Sequence, residues 1–517
     1  MWRWVVVLAA IGLALAAGRA EAETPEEFYA SVFQEEAKAA LGTPATKDDV
    51  EFAAKVLDAA RNSSDAAVRA YLCEKALDFA CRAPEGCCTA MRLAKLLAEA
   101  APPKRAAAQQ KVLRACEAFF EKAQTPQEKQ AAGAGYVEAL VWTADAPPEA
   151  NQPTDEARIL SKAISAASAA NLNLGHGVTL RLETAKAEQA ADKELAKLDA
   201  AVKAAPANVQ AAQRAVMLCV TEKDRPAMAA QRLAAAGRNE ALEARVALAC
   251  KALGDLSQDE CLDLGAWYRG LAPQAGALGK ARVLARAQGI YKRFLEVHPG
   301  EDPKTWMAKR ALEAVNYDLV RARAGLNGGW LDLFSLIDRG RLDLKASEWQ
   351  ETPDGFLSKG TGSRLYAPYE PLGEYDVEAS FTRKGGQDAI SFSCPFGETG
   401  FALYLGDLGN KRSGLVPVWT RYLRADVSSP NPTARDLTLT EGHDYSVLIQ
   451  VRGKGVRACL DEKVIVDHRT NGKDFSLALT PHTVGFGTIR SQAVFHSMWL
   501  REVTGPGKFL PAQETPR

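Results

Sequence analysis

The residues with the clearest chemical spacing are three acids at every second position of one short segment. In GEYDVEASFTR (Gly373 to Arg383), Glu374, Asp376 and Glu378 alternate with Tyr375, Val377 and Ala379. Successive side chains of a strand point to opposite faces, so the three carboxylates share one face. Paired carboxyls on one face are what a retaining glycosidase uses, one as nucleophile and one as acid–base, about 5–5.5 Å apart. At a rise of roughly 3.3 Å per residue, Glu374 and Glu378 stand about 13 Å apart at the backbone, so their side chains would have to lean together across Asp376. The same alternation is the ordinary signature of a strand with one wet face. Tyr375, Val377, Ala379 and Phe381 are read as the inward set and the acids as their solvated partners. No residue is assigned a catalytic role; hydrolysis through Glu374 and Glu378, with Asp376 between them, is the alternative.

A second constellation lies in LGDLGNKRSGLVPVWTRYLRADVSSPNPT, Leu405 to Thr433. It sets Trp419 and Tyr422 beside Arg412, Arg421, Arg424, Asp407 and Asn410. Aromatic faces that stack on sugar rings, with carboxylate, amide and guanidinium groups reaching the hydroxyls, are the usual means of holding a glycan. Trp419, Tyr422, Arg421, Asp407 and Asn410 are therefore the expected ligand-binding set. Asp407 and Asn410 would also offer two oxygens to a calcium ion, which takes about six to eight; no other metal or cofactor is expected. The six histidines (176, 298, 443, 468, 482 and 496) pair with no Ser or Cys in a nucleophile motif, and no G-x-S-x-G, P-loop or dinucleotide fingerprint occurs.

The 517 residues that carry these groups are too many for one ordinary domain. Lys plus Arg and Asp plus Glu both number 64, so no charge excess points to nucleic acid or an anionic membrane. Residues 1–22 read as an export signal: a positive start at Trp2-Arg3-Trp4, an apolar run from Val5 to Ala17 and a small-x-small site at Ala20-Glu21-Ala22. No later stretch is apolar enough to cross a membrane, so export to the periplasm or cell exterior is expected. Ten cysteines suit an oxidising compartment, and Cys394 and Cys459, both in expected strands, are the expected disulfide.

From residue 23 to about 326 the apolar period is helical. Ala53, Val56, Leu57 and Ala60 are one example; Val112, Leu113, Cys116, Phe119 and Phe120 are another. Thr24-Pro25-Glu26-Glu27, Thr125-Pro126-Gln127-Glu128 and Ser257-Gln258-Asp259-Glu260 are capping boxes. About ten helices with short connections are expected, either as stacked hairpins or as an irregular bundle. Gly325-Leu326-Asn327-Gly328-Gly329 breaks the pattern, and the period becomes two. Ile390, Phe392 and Cys394 alternate, as do Val447, Ile449 and Val451, then Val494, His496, Met498 and Leu500. Short alternating strands with glycine-bearing turns predict an antiparallel sandwich over 327–505, and 506–517 reads as a loose tail. The fold class is a multi-domain α plus all-β chain.

Two resemblances sharpen this. RAQGIYKRFLEVHPGEDP keeps Ala287, Tyr291 and Pro299 at the spacing of the second helix of a tetratricopeptide repeat, so the helical region resembles that class. Residues 330–504 resemble a concanavalin-like, laminin-G-type jelly roll related to the 3-keto-disaccharide hydrolase domains. The carrying segments are WLDLF, EYDVEASFTRKGGQDAISFSCPFG, GHDYSVLIQVRGKGVRACLDEKVIVDH and VGFGTIRSQAVFHSMWLREVTG. That class usually has Leu-Asp-Gly-Lys where this chain has Leu460-Asp461-Glu462-Lys463, so a different turn is expected. The resemblance implies a sheet sandwich and leaves its chemistry open, because the fold hosts lectins, hydrolases and adhesion modules. The expected function is an exported, non-catalytic protein whose jelly roll recognises a polysaccharide or other glycan, or a protein surface, and whose helices hold other exported proteins. No nucleic-acid partner is expected.

Overall fold

The structure is a computed structural model and describes residues 24–43, 46–145, 156–172, 174–337, 348–360, 362, 364–419, 421–423, 430–477 and 482–510. The expected export signal lies outside them. The chain divides into two compact units, residues 1–185 and 186–517.

The first unit is helical: α1 (Pro25–Leu41), α2 (Thr46–Asn62), α3 (Ala66–Ala80), α4 (Cys87–Ala100), α5 (Arg105–Lys122), α6 (Pro126–Ala144), α7 (Glu156–Ala169) and the start of α8 (His176–Ala204). Thr24 and Thr125 close the capping boxes that their spacing predicts, each side chain accepting the N–H of a glutamate three residues on. Phe33, Phe52, Leu72, Phe79 and Met91 form the core. Small residues bring the backbones together: a Cβ added to Gly135 on α6 would stand 2.4 Å from Cβ of Cys87 on α4. The alanine and glycine content thus sets how closely these helices approach.

The second unit continues with α9 (Val209–Thr221), α10 (Pro226–Ala230), α11 (Glu240–Ala249), α12 (Gln258–Leu271), α13 (Ala277–Val297) and α14 (Pro303–Leu326). Ser257 caps α12 through Glu260, and Asp302 caps α14 by accepting Thr305 N–H at 2.8 Å. Tyr291 on α13 lies against Gly265 on α12, where an added Cβ would meet its ring at 2.9 Å. There are more helices than the ten expected, because short pieces such as α10 carry too little periodicity to read.

Period-two patterning takes over at Trp330. The strands are β1 (Trp330–Asp332), β2 (Trp349–Thr352), β3 (Gly355–Ser358), β4 (Arg364–Tyr366), β5 (Tyr369–Glu370), β6 (Tyr375–Gly386), β7 (Ile390–Phe396) and β8 (Thr399–Gly406). They continue with β9 (Arg412–Val416), β10 (Arg435–Asp436), β11 (Asp444–Arg452), β12 (Gly455–Leu460), β13 (Lys463–Arg469), β14 (Gly485–Thr488), β15 (Ser491–Glu502) and β16 (Lys508–Phe509). One sheet, A, runs β13-β12-β11-β6-β15-β3-β2, with β1 also on β15. The other, B, runs β10-β9-β8-β7-β14-β4. Between them lies one core that includes Val377, Phe381, Ile449 and Leu500 from A and Phe392, Phe401, Leu403 and Phe486 from B. Burying these faces drives the fold, at about 1.5–3 kcal/mol per large apolar side chain. Val320 and Ala324 of α14 join the same core, and Arg321 of α14 pairs with Glu502 of β15.

Three expectations change here. The alternation Val494, His496, Met498, Leu500 is broken by a bulge between Phe495 and Ser497, so Ala493 and Phe495 face the core instead, and His496 is left over. All ten cysteines are free thiols, the expected Cys394–Cys459 pair included. Cys394 points into the sandwich and is fully buried, whereas Cys459 lies between the core-facing Ala458 and Leu460 and so points out of sheet A. Lys508 and Phe509, inside the segment read as a loose tail, pair antiparallel with Glu370 and Tyr369; residues 511–517 lie outside the described residues.

Candidate functional site

On β6, Tyr375, Val377, Ala379 and Phe381 face the core, and the acids fall on the outer face of sheet A. That face is not a wet one at Asp376, which is fully buried. The register sets Asp376 between Gln450 and Arg501. Arg452 Nη2 reaches Asp376 Oδ1 at 2.6 Å and Arg501 Nη2 reaches Oδ2 at 2.7 Å. The Arg501 guanidinium in turn lies 4.8 Å from the Trp330 ring centre. Two cross-strand guanidiniums thus replace the water that the alternation implied. Glu374 precedes the strand, and its Oε1 accepts Gly453 N–H at 2.8 Å. Glu378 is half-buried beside Leu448 and Trp499 in the register. Further along, the hydroxyls of Ser380 and Ser497 meet at 2.7 Å, and Thr382 bonds His496 Nε2 at 2.6 Å.

The outer face of sheet B is built differently. Its register lays Arg364, Gly487, Ser391, Tyr404 and Gly414 in one row across five strands, and Tyr366, Gly485, Ser393, Ala402 and Val416 in the next. The middle of both rows is glycine and serine. The gap lets long side chains from the flanks lie across it: Arg364 Nη2 donates to Tyr404 Oη at 2.8 Å, and the Tyr366 ring covers Gly485, where an added Cβ would meet it at 2.5 Å. Beneath them the hydroxyls of Ser391 and Ser393 are buried and find no hydrogen-bond partner among the described residues.

The chain after β9 folds over the other half of this face. Leu423 packs on Ala402 and Val416. Asn431 Nδ2 donates to the carbonyls of Leu415 and Arg421 at 2.7 and 3.2 Å, and Thr433 Oγ1 accepts Leu415 N–H at 2.9 Å. So tied, the strap holds Trp419 57% and Tyr422 56% exposed. Trp419 has a positive φ of 52°, a conformation that costs a bulky residue about 1–2 kcal/mol, and its N–H donates to Asp474 O at 2.7 Å. Asp474 is itself held by His468 Nε2 at 2.6 Å.

The expected ligand-binding residues separate into two groups. Trp419, Tyr422 and Arg421 come together on the strap. Asp407 is half-buried at the end of β8; burial raises its carboxyl, nearby Asp388 adds to that, and the Leu408 N–H and Arg490 oppose it. Asn410 is removed from the set, because its amide pins the chain: Nδ2 donates to Leu439 O at 2.7 Å and Oδ1 accepts Leu439 N–H at 3.0 Å. The oxygen offered to calcium is therefore already used. Arg412 pairs with Asp436 at 3.2 Å, and Arg424 lies outside the described residues. Arg364, Tyr366, Ser391, Ser393 and Tyr404 were not singled out from the sequence. Burial raises the Tyr404 phenol, Arg364 lowers it, and Asp407 and Tyr422 raise it again, so all four groups share one neighbourhood. The available signal was two serines alternating with Ile390, Phe392 and Cys394, next to a G-F-G strand.

No protein-family model matches the chain, and no curated protein matches it. Solved structures do match, each over about a third of the chain. A carbohydrate-binding module from Bacillus subtilis is 13% identical, covering 34% of this chain and 96% of its own, at a TM-score of 0.24. A candidate glycosyl hydrolase from Parabacteroides distasonis is 11% identical over 30% of this chain and 84% of its own, at 0.22. A Trypanosoma rangeli sialidase, solved with 2,3-difluorosialic acid, is 11% identical over 30% of this chain and 26% of its own, at 0.21.

Proposed function

We propose that residues 327–505 form a concanavalin-like, laminin-G-type module that binds carbohydrate on the outer face of sheet B, within an exported protein whose helices serve protein interaction. The observation that carries this reading is Trp419: an indole more than half exposed, in a backbone conformation that costs energy, three residues from an equally exposed Tyr422. A tryptophan that served only to fasten the strap would be buried; Leu423, one residue past Tyr422, is buried and does that work. Exposed rings beside a row of guanidinium, phenol and hydroxyl groups suit a pyranose, which has an apolar face and polar edges. The acids of β6 lie on the opposite outer face, where Asp376 is neutralised by two arginines, and they have no part in this site.

The test is electrophoresis of the full chain through native gels cast with a panel of soluble polysaccharides. Retardation by one or two of them, lost in Trp419→Ala and weakened in Tyr422→Ala, is the expected result. Equal mobility in every gel, or retardation that Trp419→Ala leaves intact, removes the reading and shifts the weight to protein recognition.

A further inference from the structure

A cavity of about 480 Å³ opens among the helices of the second unit, away from the sandwich. Arg282, Arg286 and Gly289 line it from one face of α13. Asp224 enters from the turn after α9, Lys251 from the end of α11, and Leu253, Leu256, Leu264 and Ile290 supply apolar wall. Its charged groups differ in how well they are partnered. Arg282 donates to Glu188 and to the Glu222 carbonyl, and Lys251 bonds Glu260 at 2.7 Å. Glu222 is itself spent, accepting the N–H of Gly276 and Gly279 at 2.7 and 3.0 Å.

Arg286 and Asp224 are the exceptions. Arg286 donates a long bond, 3.3 Å, to the Ala249 carbonyl and lies against the buried Tyr268 hydroxyl. Its Nε stands 3.9 Å from Asp224 Oδ1, too far for a hydrogen bond, and that oxygen finds no hydrogen-bond partner among the described residues. Asp224 also holds a positive φ of 48°, so the turn after α9 turns this carboxylate inward at a cost in backbone energy. Asp224 Oδ1 is buried, but the two side chains as a whole remain 33% and 39% exposed and both line the cavity. A carboxylate and a guanidinium held 3.9 Å apart, both partly exposed beside an apolar wall, are complementary to a molecule that carries an ammonium and a carboxylate on one carbon atom. We infer that this cavity binds an apolar α-amino acid, with its carboxylate on Arg286, its ammonium on Asp224 and its side chain against Leu253, Leu256, Leu264 and Ile290. Burial also raises the Asp224 carboxyl, with Arg286 and Arg282 opposing, as expected of an acid short of a partner.

Isothermal titration of the full chain with leucine, isoleucine, phenylalanine and methionine tests this, with N-acetyl-leucine and leucinamide as probes that lack one charge each. The expected result is saturable binding of at least one of the four. Loss of about tenfold or more in affinity should follow in Arg286→Gln and in Asp224→Asn, and with each blocked probe, since a charge-assisted contact is removed each time. Asparagine tolerates a positive φ, so Asp224→Asn keeps the turn, and an unchanged melting temperature confirms it. No saturable heat with any of the four, or N-acetyl-leucine binding as well as leucine, overturns the inference.

Discussion

The two outer faces of the sandwich start from the same sequence pattern and end in opposite states. On sheet A the outward polar groups are matched: Asp376 to Arg452 and Arg501, Ser380 to Ser497, Thr382 to His496. On sheet B the outward groups in the middle rows are glycines and serines, the serine hydroxyls lack partners among the described residues, and two aromatic rings stand exposed on the neighbouring strap. A face whose polar groups satisfy one another has nothing left to offer a ligand. A face that leaves them unsatisfied carries a cost that only another molecule or water can offset. Alternation tells which residues face outward; partnering tells which face can act.

The largest effect that should separate them is Asp376→Ala. It strands two partly exposed guanidiniums around a vacated, buried position, and losing two charge-assisted bonds there costs about 2–3 kcal/mol. Urea denaturation of the variant should show that loss, while retardation in the polysaccharide gel persists under native conditions. Trp419→Ala should do the reverse. Base stacking on aromatic residues gives the scale for a ring of similar size, about 1–3 kcal/mol, or about fivefold to a hundredfold in affinity; the melting temperature should stay where it was. If Trp419→Ala unfolds the protein, or Asp376→Ala abolishes binding in a folded chain, the division between a structural face and a binding face is wrong.

A smaller effect belongs to the turn that closes β12 onto β13. Asp461 and Glu462 both have positive φ, 45° and 65°, so the chain takes the two-residue turn usual for glycine in spite of the glutamate. Asp461 makes this tolerable by bonding Ser446 N–H at 2.9 Å and His443 Nε2 at 3.1 Å. Glu462 has no such brace among the described residues. Glu462→Gly should therefore stabilise the chain by about 1 kcal/mol, read as a higher urea midpoint, with binding unchanged.

Much of this was legible in the residues. The three capping boxes, the change of period near residue 330 and the inward set of β6 follow from spacing, because each is a local rule acting on neighbours in sequence. What could not be read are the facts that depend on distant partners. Nothing near Asp376 announces Arg452 or Arg501, and nothing near Asn410 announces Leu439. The bulge at His496 shifts a register that looks regular by letter. The row from Arg364 to Tyr404 exists only once β4, β14, β7 and β8 lie side by side. Trp419 and Tyr422 were visible as residue types, but their exposure depends on Leu423, Asn431 and Thr433 tying down the strap.

The smallest effect makes the sharpest comparison, since it sets one aspartate against another. Asp376 on sheet A is buried with two cations. Asp407, at the end of β8 in sheet B, is half-buried, and its carboxyl is raised above the ordinary aspartate value, chiefly by burial. A carboxyl raised in the folded state binds its proton more tightly there than in the unfolded chain. Its contribution therefore turns unfavourable as pH rises from the unfolded value through the folded one, and it stays unfavourable at neutral pH. Asp407→Asn removes that penalty and should raise stability at pH 7 by a few tenths of a kcal/mol, the size expected for a group still half in water. At pH 3 the wild-type carboxyl is protonated in both states and the gain should vanish. Asp376→Asn should lose stability at pH 7, because its two arginines need the full charge. Opposite signs for the same substitution, measured by urea denaturation at pH 7, are what a partnered face and an unpartnered face require; a loss in both would mean that Asp407 has found a cation as Asp376 has.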